Sequence, residues 1–204
     1  MKKIILLFAM FCLSACSKVE VEPLDKQDTI VAFGDSLTFG YGAYAGFSYP
    51  EQLSKIINMK VINSGVNGNT TSDGLARLSN VLEEHKPKLV LLGLGGNDML
   101  RKVPEQTIVS NLTSMIQKIK SKNIQVVLLA TPRPSLLSSI GYLSDADFYK
   151  DVAKKESVLL IEDIYSSFLS KAEYRSDLIH LNQRGYELVA KKIADFLEDN
   201  NYID

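Results

Sequence analysis

The sequence predicts an α/β protein, a three-layer α/β/α sandwich built around a five-stranded parallel sheet. Three observations carry this reading. Short β-branched or Leu-rich runs alternate with helix-length patterns along the chain. Runs such as Leu89-Val90-Leu91-Leu92 and Val126-Val127-Leu128-Leu129 are apolar at successive positions, as a parallel strand covered on both faces requires. The chain of 204 residues, 46% hydrophobic and 23% charged, is long enough for one domain with a sizeable core.

The first 15 residues stand apart from that pattern. Lys2 and Lys3 precede an apolar run from Ile4 to Leu13, and Leu13-Ser14-Ala15-Cys16 supplies small residues for processing, so residues 1–15 read as an export signal. The run is about ten residues, well short of the roughly 20 that a spanning helix needs. Residues 16–28 mix charges with Pro23 and have no apolar period, which reads as a tether; the domain is expected over residues 29–204.

Within the domain, strands are expected at Thr29–Phe33, Lys60–Asn63, Leu89–Leu94, Ile124–Ala130 and Val158–Ile161. Helices are expected at Pro50–Asn58, with Pro in its first turn, Ser72–His85, Thr107–Lys122, Ala146–Glu156 and Gln183–Glu198, the last behind an Asn182 cap. Strand and helix alternate throughout, which implies right-handed crossovers. In such sheets ligands sit beyond the carboxyl ends of the strands. The Pro- and Ser-containing segment Thr131–Asp145 is a loop able to shape one side of a pocket, with no catalytic role assigned.

Polar loops follow the strands: Gly34-Asp35-Ser36-Leu37, Gly65-Val66-Asn67-Gly68-Asn69 and Gly95-Gly96-Asn97-Asp98, with Asp177-Leu178-Ile179-His180 before the last helix. A serine hydroxyl is a poor nucleophile until a base takes its proton and a third group orients that base. Of the two histidines, His85 closes a helix in a charged stretch and reads as solvated, which leaves His180 as the base for Ser36. Asp177 can fold back on the imidazole through a turn; alone, an Asp-x-x-His pair is better explained by a helix-capping Asp beside a surface His, and it is the position before the last helix that favours the catalytic reading. The oxyanion of acyl transfer needs preorganised donors, and the backbone N–H groups of Ser36 and Gly68 with the side-chain amide of Asn97 can supply three. Taken singly, Gly65, Gly68, Gly95 and Gly96 are explained by tight turns.

Together these blocks resemble the SGNH, or GDSL, hydrolase family: Ser36, Gly68, Asn97 and His180 stand at its four naming positions. The similarity runs from Thr29 to the C-terminus. It is closest to exported bacterial thioesterase, lysophospholipase and arylesterase enzymes, through Gly68-Asn69-Thr70-Thr71 and Gly74-Leu75-Ala76-Arg77-Leu78 as well. The resemblance implies a flavodoxin-like sheet and an acyl-enzyme on Ser36. His180 is then the base, Asp177 its orienting acid and Asp35 a structural support. Leu181 stands where the family commonly has Pro, and Asn69 where Asp often follows the oxyanion Gly.

Leu13-Ser14-Ala15-Cys16 also resembles a lipoprotein lipobox, which implies lipidation of Cys16 and anchorage on the periplasmic side of a bacterial membrane. Cys12 leaves with the signal, so no internal disulfide is expected. Loss of residues 1–15 leaves 21 basic against 24 acidic residues, a net charge of −3 without a basic cluster, which argues against a nucleic-acid partner. No metal or other cofactor is expected: the histidines lie 95 positions apart and there is no phosphate-binding glycine motif. The expected partner is a small acyl ester or thioester, handled by a monomer. A carbohydrate or peptidoglycan O-acetyl esterase uses the same chemistry, and a non-catalytic binding lipoprotein is the reading from a different class.

Overall fold

A computed structural model describes residues 19–134 and 143–204. The signal segment, Cys16 and the middle of the 131–145 loop lie outside the described residues. Five strands, β1 (Thr29–Gly34), β2 (Lys60–Gly65), β3 (Leu89–Gly93), β4 (Gln125–Leu129) and β5 (Leu159–Ile161), form one sheet in the order β2-β1-β3-β4-β5. Every neighbouring pair is parallel. This is the flavodoxin-like order, whose chain direction switches between β1 and β3 and leaves a crevice above their carboxyl ends.

Five full helices cover the sheet: α2 (Tyr49–Ile57), α3 (Thr71–His85), α5 (Glu105–Lys120), α6 (Phe148–Glu156) and α8 (Gln183–Asp199). Alternate strand residues feed opposite layers. Ile30, Ala32, Leu89 and Leu91 pack with Leu53 of α2 and with Val189 and Ile193 of α8. Val31, Phe33, Val90 and Leu92 pack with Leu78 of α3 and with Leu112 and Met115 of α5. β3 is buried along its whole length, whereas β2, at the edge, is partly exposed. Burial of each large aliphatic chain contributes about 1.5–3 kcal/mol against its exposure to water.

Three short helices escape the sequence pattern: α1 (Ser36–Phe39), α4 (Gly96–Leu100) and α7 (Ser166–Leu169). Four or five residues are too few to show a helical period. Two of the three, α1 and α4, follow directly on β1 and β3 and carry the residues at the crevice.

The domain also begins earlier than the expected boundary at Thr29. Val21 and Leu24 pack against the α2/α8 core, and the Leu24 amide donates to the Tyr202 carbonyl at 2.8 Å. The expected tether is therefore attached to the domain through much of its length.

Candidate active site

Ser36 is the first residue of α1, immediately beyond β1. The Asp35 carboxylate caps that short helix by accepting the Leu37 amide at 3.0 Å. A Cβ at Gly34 would overlap the Thr38 side chain and the Gly93 carbonyl, so the strand turns into α1 only because position 34 lacks one.

The Ser36 hydroxyl lies 3.0 Å from His180 Nε2, and His180 Nδ1 lies 2.8 Å from Asp177 Oδ2. The other carboxylate oxygen, Asp177 Oδ1, accepts the amides of Ile179 and His180 at 2.8 Å each. Partial burial pushes the Asp177 carboxyl upward. The hydrogen bonds from the His180 ring and the two amides outweigh it and hold the group below the usual carboxylate range. An anion fixed in this way orients the imidazole so that Nε2 faces Ser36 as a proton acceptor.

The loop holding this pair is closed by a bridge between Arg175 and Leu181 and by the Ser176 amide donating to the His180 carbonyl at 3.0 Å. Leu181, the residue in place of the family's Pro, is wholly buried and anchors the loop in the core. The Tyr41 ring lies against the imidazole with centroids 4.5 Å apart, and the Tyr41 carbonyl accepts the Tyr186 hydroxyl of α8 at 2.8 Å.

Asn97, in α4, joins the remaining blocks. Its Nδ2 donates to the Asn69 carbonyl at 3.0 Å and, over a longer 3.3 Å, to Asp35 Oδ2. Residues 66–69 form a tight turn, the Asn69 amide donating to the Val66 carbonyl at 3.1 Å, and Gly68 sits in it at φ +76°. Arg101 holds the Gly68 carbonyl at 3.0 Å. Neither the Ser36 nor the Gly68 amide has an intramolecular acceptor among the described residues, which leaves both free for an incoming oxygen. Asp98, beside Asn97, is buried and binds Thr71 through its amide (2.8 Å) and hydroxyl (2.6 Å), tying α4 to the start of α3.

While Cys16 lies outside the described residues, Ser36, Gly68, Asn97, Asp177 and His180 lie together at the switch point. His85, as expected, ends α3 away from it. The sequence reading assigned no role to Arg77, Tyr41 or Arg101, and gave Asp98 none beyond its place in the third block. Arg77 in α3 donates to Asn69 Oδ1, to the Ser64 hydroxyl, and to the carbonyls of Gly34 and Ser64, all at 2.8–2.9 Å.

A cleft of about 240 Å³ opens beside Asp35 and Asn97. Leu37, Leu100, Pro132, Leu169, Leu178 and Ile179 give it apolar walls. Pro132, Pro134 and Leu143 of the 131–145 segment line one side.

Asp35 is almost wholly buried. Burial raises its pKa from 3.8 to about 7, against the downward pull of the Leu37 amide, and the Asp98 carboxylate adds to the rise. The folded protein then keeps a proton that the unfolded chain has already released. Stability is expected to fall as pH rises from about 4 to about 7. In Asp35→Asn, the difference between melting temperatures at pH 5 and pH 8 should shrink; an unchanged difference would assign the pH dependence to other groups.

Sheet order, switch point and the Ser-His-Asp relay define a serine hydrolase, and the comparisons with known proteins make it one that acts on ester bonds. The chain belongs to the GDSL-like Lipase/Acylhydrolase family, whose model matches residues 32–188. It is 33% identical over 203 residues to an arylesterase of Vibrio mimicus, covering 97% of this chain and 98% of that one. It is 30% identical over 174 residues to thioesterase 1/protease 1/lysophospholipase L1 of Escherichia coli K12, covering 84% of each. The structure of the psychrotrophic esterase EstA from Pseudoalteromonas superimposes with a TM-score of 0.76 over 85% of this chain and 98% of that chain. At 23% identity that likeness speaks for the fold.

Proposed function

We propose that the protein hydrolyses carboxylic esters or thioesters of the lysophospholipase, arylesterase or acyl-thioesterase type through an acyl-enzyme on Ser36. The observation that carries this is the unbroken relay from Ser36 Oγ to His180 Nε2 (3.0 Å) and from His180 Nδ1 to Asp177 (2.8 Å). His180 takes the hydroxyl proton as Oγ bonds to the substrate carbonyl carbon. The oxyanion that forms is met by the Ser36 and Gly68 amides and by the Asn97 side chain, which exchanges its long 3.3 Å bond to Asp35 for the developing charge. Collapse expels the alkoxide or thiolate, which takes its proton from His180 Nε2. Water, deprotonated in turn by His180, then releases the carboxylic acid and restores Ser36.

The apolar walls of the cleft suit the acyl chain. Specificity for p-nitrophenyl esters should rise from acetyl towards longer acyl groups, by up to about 0.8 kcal/mol per methylene until the cleft is filled. A clear preference for acetyl would favour the O-acetyl esterase reading instead. Asn97→Ala is expected to lower kcat by about 10²–10³-fold with a smaller change in KM, since the lost donor acts on the charge that develops in the transition state. A kcat within about twofold of wild type would remove Asn97 from the oxyanion site.

The lipobox-like segment supports acylation of Cys16 and attachment of the protein on the periplasmic side of the membrane. Cys16→Ser should then move the protein from the membrane to the soluble fraction; continued membrane association with normal processing would refute the anchor.

A further inference from the structure

Two hydrogen bonds hold the His180 ring, and both lie along its edge: Nδ1 to Asp177 and Nε2 to Ser36. Bonds at these two atoms set the direction of the ring and leave it free to tilt about the line that joins them. The second bond is also lost during the reaction, because Ser36 Oγ becomes part of the acyl group while Nε2 must still face the leaving group and then water. The loop that carries the pair offers little further restraint: Asp177 is 45% exposed, and Leu178 and Ile179 are exposed as well.

Tyr41 supplies the missing restraint. Its ring meets the imidazole with centroids 4.5 Å apart and planes tilted by 44°, a separation at which one ring must lie over the face of the other. The backbone of Tyr41 is fastened to both halves of the relay. Its amide donates to the Ser36 carbonyl at 3.0 Å, and its carbonyl accepts the hydroxyl of Tyr186, a buried residue of α8, at 2.8 Å. The next residue, Gly42 at φ +92°, lies so close to Ser176 and to the Leu181 carbonyl, on the two flanks of the His180 loop, that a Cβ there would overlap both. A chain tied to Ser36 at one end and to the His180 loop at the other fixes where the Tyr41 ring sits. That ring is half-exposed and does not line the acyl cleft, so neither core packing nor contact with the acyl chain accounts for its place.

We propose that Tyr41 is a positioning residue for the base: its ring fixes the plane of the His180 imidazole through acylation and deacylation and favours the imidazolium that forms in each. A cation within about 6 Å of an aromatic centroid is attracted to the ring. His180 gains charge as it takes a proton, so the contact strengthens on the way to the transition state. This deepens the esterase reading above and rests on it.

The test compares Tyr41→Phe, which keeps the ring, with Tyr41→Leu and Tyr41→Ser, which remove it while leaving the backbone bonds in place. Each is measured well below its melting transition on a p-nitrophenyl ester and on an alkyl ester of the same acid. Tyr41→Phe should stay within about twofold of wild type, and loss of the ring should lower kcat at least about fivefold on both esters with KM unchanged or lower. A smaller loss, or an equal loss in Tyr41→Phe, would overturn the proposal. A loss confined to the p-nitrophenyl ester, or a raised KM with kcat kept, would overturn it in favour of a grip on an aryl leaving group. In the His180→Ala background Tyr41→Leu should cost nothing more, because a residue that acts through the imidazole has no effect once the imidazole is gone; the same fold-loss there would overturn the proposal. Wild-type turnover that Ser36→Ala removes secures the esterase reading whatever happens at Tyr41, and its absence would overturn that reading and the proposal with it.

Discussion

Ser36→Ala is expected to lower kcat for a p-nitrophenyl ester by at least about 10⁴-fold while leaving the protein folded. The hydroxyl makes its side-chain hydrogen bond to His180, whereas the local fold rests on neighbours that the substitution leaves in place. Asp35 still caps α1 and Leu37 remains in the core. Melting temperature and circular dichroism should therefore match the wild type closely. His180→Ala should cost nearly as much, and the double variant little more than either, because a nucleophile and its base act as one unit. Turnover of Ser36→Ala within about tenfold of wild type would exclude the acyl-enzyme route. Additive losses would mean that Ser36 and His180 do not act on the same proton.

The parts of this site that were legible in the sequence share a physical cause. β1, β3 and β4 are buried on both faces, so their apolar runs are uninterrupted and the loops after them stand out as abrupt changes to Gly, Asp, Ser and Asn. Ser36 and Asn97, after β1 and β3, are found by that contrast. His180 is found because only one other histidine competes with it. Strand β2 is less distinct, since an edge strand with exposed positions carries Lys60 and Asn63 among its apolar residues. Helices α1 and α4 are set by what surrounds them, the Asp35 cap and the packing beneath Asp98, and leave no period to read. The attached segment around Val21 and Leu24 is missed for a related reason: two isolated apolar residues among charges look like a tether until their partners in α8 and Tyr202 are known.

Arg77 was hidden for a different reason, because its partners are main-chain carbonyls and polar side chains from three separate segments. Its guanidinium crosses the ends of β1 and β2, bonding the Gly34 and Ser64 carbonyls, the Ser64 hydroxyl and Asn69 Oδ1, and stacks 3.9 Å from the centre of the Phe33 ring. Five N–H donors in a rigid fork suit four acceptors at fixed angles, and a lysine ammonium has neither the number nor the spread. Removing hydrogen bonds from a charged donor to partly buried acceptors costs roughly 1.5–3 kcal/mol for the strongest of them. The Gly34 carbonyl retains the Val66 amide as a partner, which limits the loss there. Arg77→Ala is therefore expected to destabilise the fold by about 3 kcal/mol, with a melting temperature lower by about 10 °C for a chain of this size. Arg77→Lys should fall between it and the wild type.

A second effect separates positioning from stability alone. Asn69 is the partner of both Arg77 and Asn97, and it ends the turn that carries Gly68. Loosening Asn69 shifts two oxyanion donors at once. Measured well below the melting transition, Arg77→Ala should lower kcat by about 10–10²-fold with a smaller change in KM, the signature of a contact that strengthens in the transition state. A lowered melting temperature with an unchanged kcat would confine Arg77 to holding the strands. A lowered kcat with Asn97→Ala and Arg77→Ala non-additive would place both residues on the same oxyanion geometry.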